Sequence, residues 1–241
     1  GIVFLSETGD QVDEPKEKKG LFNRFLKPVA KKLIYNTFIP GPGTRWLYSG
    51  VFQADFFGRE LYEWGRRSLV ATPAFLARCK SHGDDIAIER IPYMTGPCQV
   101  EMGSAIRFAG QINILVGNTD AVLKLGNGVF LGHETTFGLA RRIELGDYVG
   151  IGERTYITDT EGHRHYNPNR PIWEVSAGEE ELGEVVIEDN VQIGQDCMIL
   201  KGVHIGARAV IGAGAVVRSN IPPDAVVMGN PARVVKRMTP D

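Results

Sequence analysis

Cysteine is scarce: three residues in 241, at positions 79, 98 and 197. An odd number of widely spaced thiols forms no disulfide framework and no CxxC pair, which excludes a small stapled scaffold and points to a reducing compartment. Long apolar runs are lacking too. None approaches the roughly 20 residues that a membrane-spanning helix needs, and no signal-peptide pattern is visible. A cytoplasmic protein is the expectation, with the inner face of the membrane as its outer limit. Nor is there an excess of either charge, since 27 Lys and Arg stand against 29 Asp and Glu for a formal −2. That balance gives no support to nucleic-acid binding, which needs a strongly basic face.

Glycine, by contrast, is plentiful: 29 of 241 residues, about 12% against a usual level of about 7%. Many of these glycines occupy regular places. Leu125, Leu131 and Phe137 lie six apart, and so do Leu145, Ile151 and Ile157, with a two-residue slip between the sets. After an irregular stretch the series resumes as Ile187, Ile193, Ile199, Ile205, Ile211 and Val217. Glycine directly follows many of these leading aliphatics, as at Gly152, Gly194 and Gly212. A second set falls four places after each: Val191, Cys197, Val203, Ala209, Ala215, Ile221.

A helix repeats near 3.6 residues and a strand near 2, so a period of six needs another explanation. One short strand and one sharp corner fill six residues, and three such units close a triangular coil of about 18 residues. The leading aliphatic and its smaller companion point inward, and glycine relieves crowding at the corner. Stacking then sets Ile187 on Ile205, Ile193 on Ile211 and Ile199 on Val217, about 4.8 Å apart. A single coil cannot bury its own core, so each leans on its neighbours. The expected fold is mainly β, a parallel β-helix over residues 86–238, with a loop extruded at 158–184. The handedness does not follow from spacing.

Residues 1–85 read as a helical and irregular segment. In "GLFNRFLKPVAKKLIYNTFI" apolar residues recur at helical spacing, and from Pro15 to Ile39 the chain carries seven Lys or Arg and one Glu. Two readings stand: an interfacial helix at residues 20–38 in peripheral contact with anionic lipid, or a helix docked on its own domain or a neighbouring subunit. A second helical stretch, 56–79, is expected to break near Pro73.

The repeat pattern, followed by "IPPDAVVMGNPARVVKR", resembles the bacterial hexapeptide-repeat acyltransferases over about residues 120–238, and within them the sugar O-acetyltransferases related to the maltose, galactoside and polysaccharide enzymes. The resemblance implies a left-handed β-helix, a homotrimer, and acetyl-CoA or another acyl-CoA as co-substrate in the groove between prisms, with no metal required. The acceptor it implies is a hydroxyl of a saccharide or glycosylated metabolite.

Transfer from a thioester to a hydroxyl needs a base, and imidazole suits that task near neutral pH. In the resembling enzymes a histidine follows a short D-x-D-x-H stretch. "TDTEGHRHY" matches it and makes His163 the candidate base, with His165 in reserve and Asp159, or alternatively Glu161, to orient the ring. On the CoA side the resemblance implies Ala213 and Gly214, where small side chains leave the main chain approachable. It adds Asn230 and Pro231 of the "GNPAR" turn, with Arg218, Arg233, Lys236 and Arg237 for the phosphates. Where relatives often have an acceptor-holding Asn this chain has "GHETTFG", so Glu134, beside His133, is a candidate acceptor contact, as are His165 and Trp173. Cys197 occupies an inward place and reads as core.

Two other readings use the same prism. A γ-class carbonic anhydrase-like enzyme would place three histidines on Zn²⁺, but its His-x4-His pair is missing from histidines at 82, 133, 163, 165 and 204. A non-enzymatic solenoid scaffold would have no use for the histidine-bearing loop or the "GNPAR" tail.

Overall fold

In a computed structural model of the protein, residues 42–162 and 178–238 are described. The chain divides into two compact units, Gly1–Phe57 and Gly58–Asp241. The expected helix at residues 20–38 and the loop residues His163, His165, Tyr166 and Trp173 lie outside the described residues.

A helix, α1, runs Arg45–Gly65 and continues as a π-helical segment, Arg66–Ala71, into α2, Thr72–Leu76. Pro73 therefore falls in the first turn of α2 and does not break the path. Its ring would crowd the carbonyl four residues back in an α-helix. The wider π winding covers that position, and the expected interruption takes the form of a change in pitch. Thr72 anchors the junction: its Oγ1 accepts the Ile88 N–H at 3.0 Å.

Nineteen strands follow among the described residues, β1 to β19 in chain order, in three sheets of eight, six and five. The architecture is a parallel β-solenoid of about six turns, consistent with a left-handed hexapeptide-repeat β-helix. The register is the one the six-residue period demands. On the first face Leu131, Ile151, Ile193 and Ile211 are successive partners. On the second, Phe137, Ile157, Ile199 and Val217 stack. On the third, Leu125, Leu145, Ile187 and Ile205 do so. All twelve are buried, as is the companion set from Val191 to Ile221. Each such side chain taken from water contributes about 1.5–3 kcal/mol.

The coils begin well before the hexads become legible. Ile88 of β1 (Ala87–Ile88) pairs with Phe108, and Phe108 with Leu131. These early coils are longer than the ideal, which hides the period in sequence. The inward companion position holds threonine at Thr135 and Thr155, both fully buried. Their hydroxyls donate to the carbonyls of Gly132 (2.8 Å) and Gly194 (3.0 Å), so each buried polar atom is satisfied.

The glycines act through distance between coils. A Cβ at Gly152 would lie 2.5 Å from the Gln195 nitrogen, and one at Gly194 2.6 Å from the Ala213 nitrogen. The left-handed backbone falls two places later, on Glu134 (φ 60°), Arg154 (54°), Asp196 (58°) and Gly214 (70°). These four form one column along the edge between the first and second faces. Main-chain bonds join them coil to coil, from Arg154 N–H to His133 O, Asp196 to Glu153 O and Gly214 to Gln195 O, all 2.8–2.9 Å.

Candidate functional site

Three parts of the second unit hold the residues that the sequence singles out. The first is the foot of the extruded loop. β11 (Tyr156–Thr158) leads into Asp159, whose side chain is fully buried. Its Oδ1 accepts the N–H of Ala140 and its Oδ2 that of Arg141, both at 2.7 Å. Burial pushes this carboxyl above its ordinary pKa, while main-chain donors led by Ala140 and Arg141 draw it back. The contacts that Asp159 displays are thus with the corner carrying the two-residue slip.

The two limbs of the loop are zipped at their base. Glu161 N–H donates to Glu181 O (3.1 Å) and Gly183 N–H to Asp159 O (2.8 Å), around a bridge between Thr160 and Leu182. Lys201, one coil on, ties both limbs: its Nζ lies 3.1 Å from a Glu161 carboxylate oxygen and donates to Glu180 O at 2.8 Å. Glu161 thereby has a cationic partner of its own.

The second part is the edge column. Glu134 begins it, half exposed, and Ala213 and Gly214 stand three coils further on, about 14 Å away at ordinary strand spacing. Arg154 and Asp196 close a two-pronged fork between them, Nε to Oδ1 at 2.8 Å and Nη2 to Oδ2 at 2.9 Å. Ala213 is exposed, and a Cβ at Gly214 would meet nothing within 4 Å. The main chain is open there to a ligand lying along the edge.

The tail turn continues the same edge. Ala232 N–H donates to Val216 O (2.8 Å), and Val216 N–H to Gly229 O (3.0 Å). Asn230 and the cis-bonded Pro231 are therefore set one layer beyond Gly212–Val216. After them β19 (Arg233–Arg237) runs antiparallel to β18 (Ala225–Met228). Arg218, Arg233 and Lys236 are all exposed. The structure thus brings Glu134, Ala213, Gly214, Asn230 and Pro231 onto one edge, while the loop foot occupies the corner between the second and third faces.

At the Glu134 end of this edge lies a cleft of about 810 Å³, lined among others by Trp64, Arg67, Glu89, Arg90, His133 and Glu153. His133 Nδ1 accepts the Gln111 N–H at 3.0 Å. The neutral ring therefore carries its hydrogen on Nε2, which lies 3.5 Å from Glu134 Oε1. Glu89 is spent on the Gly110 N–H (2.8 Å). The guanidinium groups of Arg67 and Arg90 have no hydrogen bond or ion pair among the described residues. Sequence reasoning reached His133 and Glu134 but not Trp64, Arg67, Glu89 or Arg90. Their approach depends on how α1 and the π-helical segment run past the first coils, which no local pattern reports.

His82, His133 and His204 do not converge. His204 lies 2.8 Å from Glu188 on the third face, and among the described residues no group of three His, Cys, Asp or Glu is placed to hold a metal ion. Cys197 is buried with its Sγ 3.2 Å from Gly212 O, and burial raises its thiol pKa.

Comparison with known proteins agrees with this architecture. The family model "Bacterial transferase hexapeptide (six repeats)" matches residues 184–219. A 2,3,4,5-tetrahydropyridine-2,6-dicarboxylate N-acetyltransferase of Staphylococcus aureus is 49% identical over 53 residues, 22% of either protein. A variant of AntD, an N-acyltransferase from Bacillus cereus solved with dTDP-4-amino-4,6-dideoxyglucose and coenzyme A, superposes with a TM-score of 0.56 at 19% identity, covering 70% of this chain and 87% of that one. The acetyltransferase VCA0836 from Vibrio cholerae, solved with acetyl coenzyme A, has 27% identity over 70% of this chain and 76% of its own, with a TM-score of 0.48. The chain carries the transferase hexapeptide repeat on a fold shared with AntD, and its match spans about a fifth of the length of these curated relatives.

Proposed function

We propose that the protein is an acyl-CoA-dependent acyltransferase, using acetyl-CoA to acetylate a hydroxyl of a saccharide or glycosylated metabolite, and working as a homotrimer. The observation that carries this reading is the shared edge. An open stretch of main chain at Ala213 and Gly214 and the Asn230–Pro231 turn lie at one end of it. A cleft with an aromatic ring, carboxylates and two guanidinium groups unpaired among the described residues lies at the other.

The pantetheine arm lies along Ala213 and Gly214, and Arg218, Arg233 and Lys236 meet the CoA phosphates. In the groove between two prisms of the trimer, His163 on the loop of one protomer takes the proton of an acceptor hydroxyl lying along the edge of its neighbour. The oxygen attacks the thioester carbonyl carbon, the new C–O bond forms, and the C–S bond breaks. The sulfur leaves as thiolate and recovers a proton as free CoA. Main-chain N–H groups of the prism receive the negative charge that develops on the carbonyl oxygen. His133 Nε2, Glu134 and Trp64 contact the acceptor in this reading, with His165 and Trp173 as further contacts from the loop.

A thiol-release assay with acetyl-CoA against a panel of sugars and amino sugars tests the reading. Release with a sugar, lost in His163→Ala while CoA still binds, is the expected result. Release with amino sugars alone would replace O-transfer by N-transfer, and failure to bind acetyl-CoA at all would remove the acyltransferase reading.

A further inference from the structure

None of the residues of α1 (Arg45–Gly65) is buried. A helix of 21 residues that buries nothing is unusual, because helices in folded proteins are stabilised mainly by packing of an apolar face. Seven of its residues are aromatic: Trp46, Tyr48, Phe52, Phe56, Phe57, Tyr62 and Trp64. Trp46 keeps 73% of its surface exposed, Phe57 69% and Leu61 56%. At 100° per residue Trp46, Leu47, Val51, Phe57, Leu61, Tyr62 and Trp64 fall within an arc of about 160°. Arg45, Ser49, Gln53, Asp55, Arg59, Glu60 and Glu63 lie on the opposite side, with Tyr48, Phe52 and Phe56 among them, so every polar side chain of the helix is confined to that side.

The chemistry of this face selects its partner. No helix among the described residues is long and apolar enough to cross a membrane, so the helix would lie flat on a bilayer and not span it. Tryptophan and tyrosine, near both ends here, are the residues that favour the headgroup layer, where one side of the ring is apolar and the other wet. The preceding stretch from Pro15 to Ile39 has seven Lys or Arg and one Glu, which is complementary to an anionic surface and not to an ordinary protein groove. A basic segment followed by a helix with one wholly apolar side combines the two attractions of interfacial helices, apolar burial and charge.

We infer that α1 is a membrane-interface helix, which seats its Trp46–Phe57–Leu61 face in an anionic lipid surface. Binding needs neither acyl donor nor acceptor, so it stands or falls apart from the catalytic reading.

The chain has three tryptophans, at 46, 64 and 173, so a Trp173→Phe protein reports from α1 alone. That full-length protein is mixed with vesicles of phosphatidylcholine and with vesicles containing about one-third phosphatidylglycerol. Flotation with the anionic vesicles only, with a blue shift of tryptophan emission, is the expected result. Adding Phe57→Glu and Leu61→Glu should lower vesicle partitioning by at least tenfold. Flotation without a blue shift would mean that the basic segment binds alone, and would overturn the assignment. So would absence of flotation, or a double variant that changes the oligomer's mass while still partitioning, which would make the face a contact between copies.

Discussion

The Asp159 carboxylate caps the main chain of Ala140 one coil earlier, Oδ1 to N at 2.7 Å, with Oδ2 on Arg141 at the same distance. One side chain thus fixes both the corner where the repeat slips and the root of the loop. Asp159→Ala leaves two main-chain donors without their acceptors in a buried place. It should cost about 1–3 kcal/mol per stranded group, read as a lower urea midpoint with an unchanged slope.

The glycines divide into two kinds, and alanine substitution separates them. At Gly194 the added methyl meets main chain at 2.6 Å, and the coils must part, at about 1–3 kcal/mol. At Gly214 the space is open and only the left-handed φ of 70° resists, at about 1–2 kcal/mol. Gly194→Ala should lower the melting temperature more, whereas Gly214→Ala should mainly raise the KM for acetyl-CoA. Thermal unfolding and steady-state kinetics on the two variants check the contrast.

Ile199 stacks between Ile157 and Val217 with no exposed surface. Ile199→Ala should destabilise by about 2–5 kcal/mol. The Arg154–Asp196 fork lies on the surface, where water and salt screen it. Arg154→Met should shift the denaturation midpoint far less than Ile199→Ala, in the same urea titrations.

Lys201 is the fastening of the loop. Lys201→Met removes its ties to Glu161 and Glu180 and should speed hydrogen exchange at the Glu161 and Gly183 amides, leaving those of Ile199 and Ile211 unchanged. Equal exchange at the loop foot in variant and parent would show that the backbone zipper suffices.

Cys79 is half-buried with its thiol pKa pushed up to about 11, chiefly by desolvation, and burial raises Cys98 and Cys197 as well. Thiolate, the reactive form, is therefore scarce near neutral pH. Ellman's reagent at pH 7.5 should titrate the native protein slowly and all three thiols at once after denaturation. Rapid reaction at Cys197 would reopen its assignment to the core.

The prism was legible because its determinants are local and repeat: an aliphatic, a glycine and a small residue recur at fixed places, and stacking pairs the places as the period requires. Ile187 on Ile205 needs no long-range information beyond the period. The same reasoning loses its grip before Leu125. Phe108 partners Leu131 across 23 positions, and an overlong coil shifts the phase. The candidate edge was legible only where it rides on the repeat, as in the shared column of Glu134 and Gly214. The Asp159 cap and the approach of Trp64 and Arg67 to His133 are tertiary facts, invisible in a linear pattern.

Leu145 and Ile187 are direct neighbours on the third face although 42 positions separate them in the chain. The tube tolerates this interruption because each layer is held by the ones above and below, not by the continuity of the strand path. Whatever leaves the surface between them is replaceable as a cassette. A graft taken from another member of this architecture, joined at Asp159 and Gly183, would meet a docking frame that is already rigid. Under the proposed function, such a graft would exchange the loop's acceptor contacts, His165 and Trp173, and leave those of the prism in place.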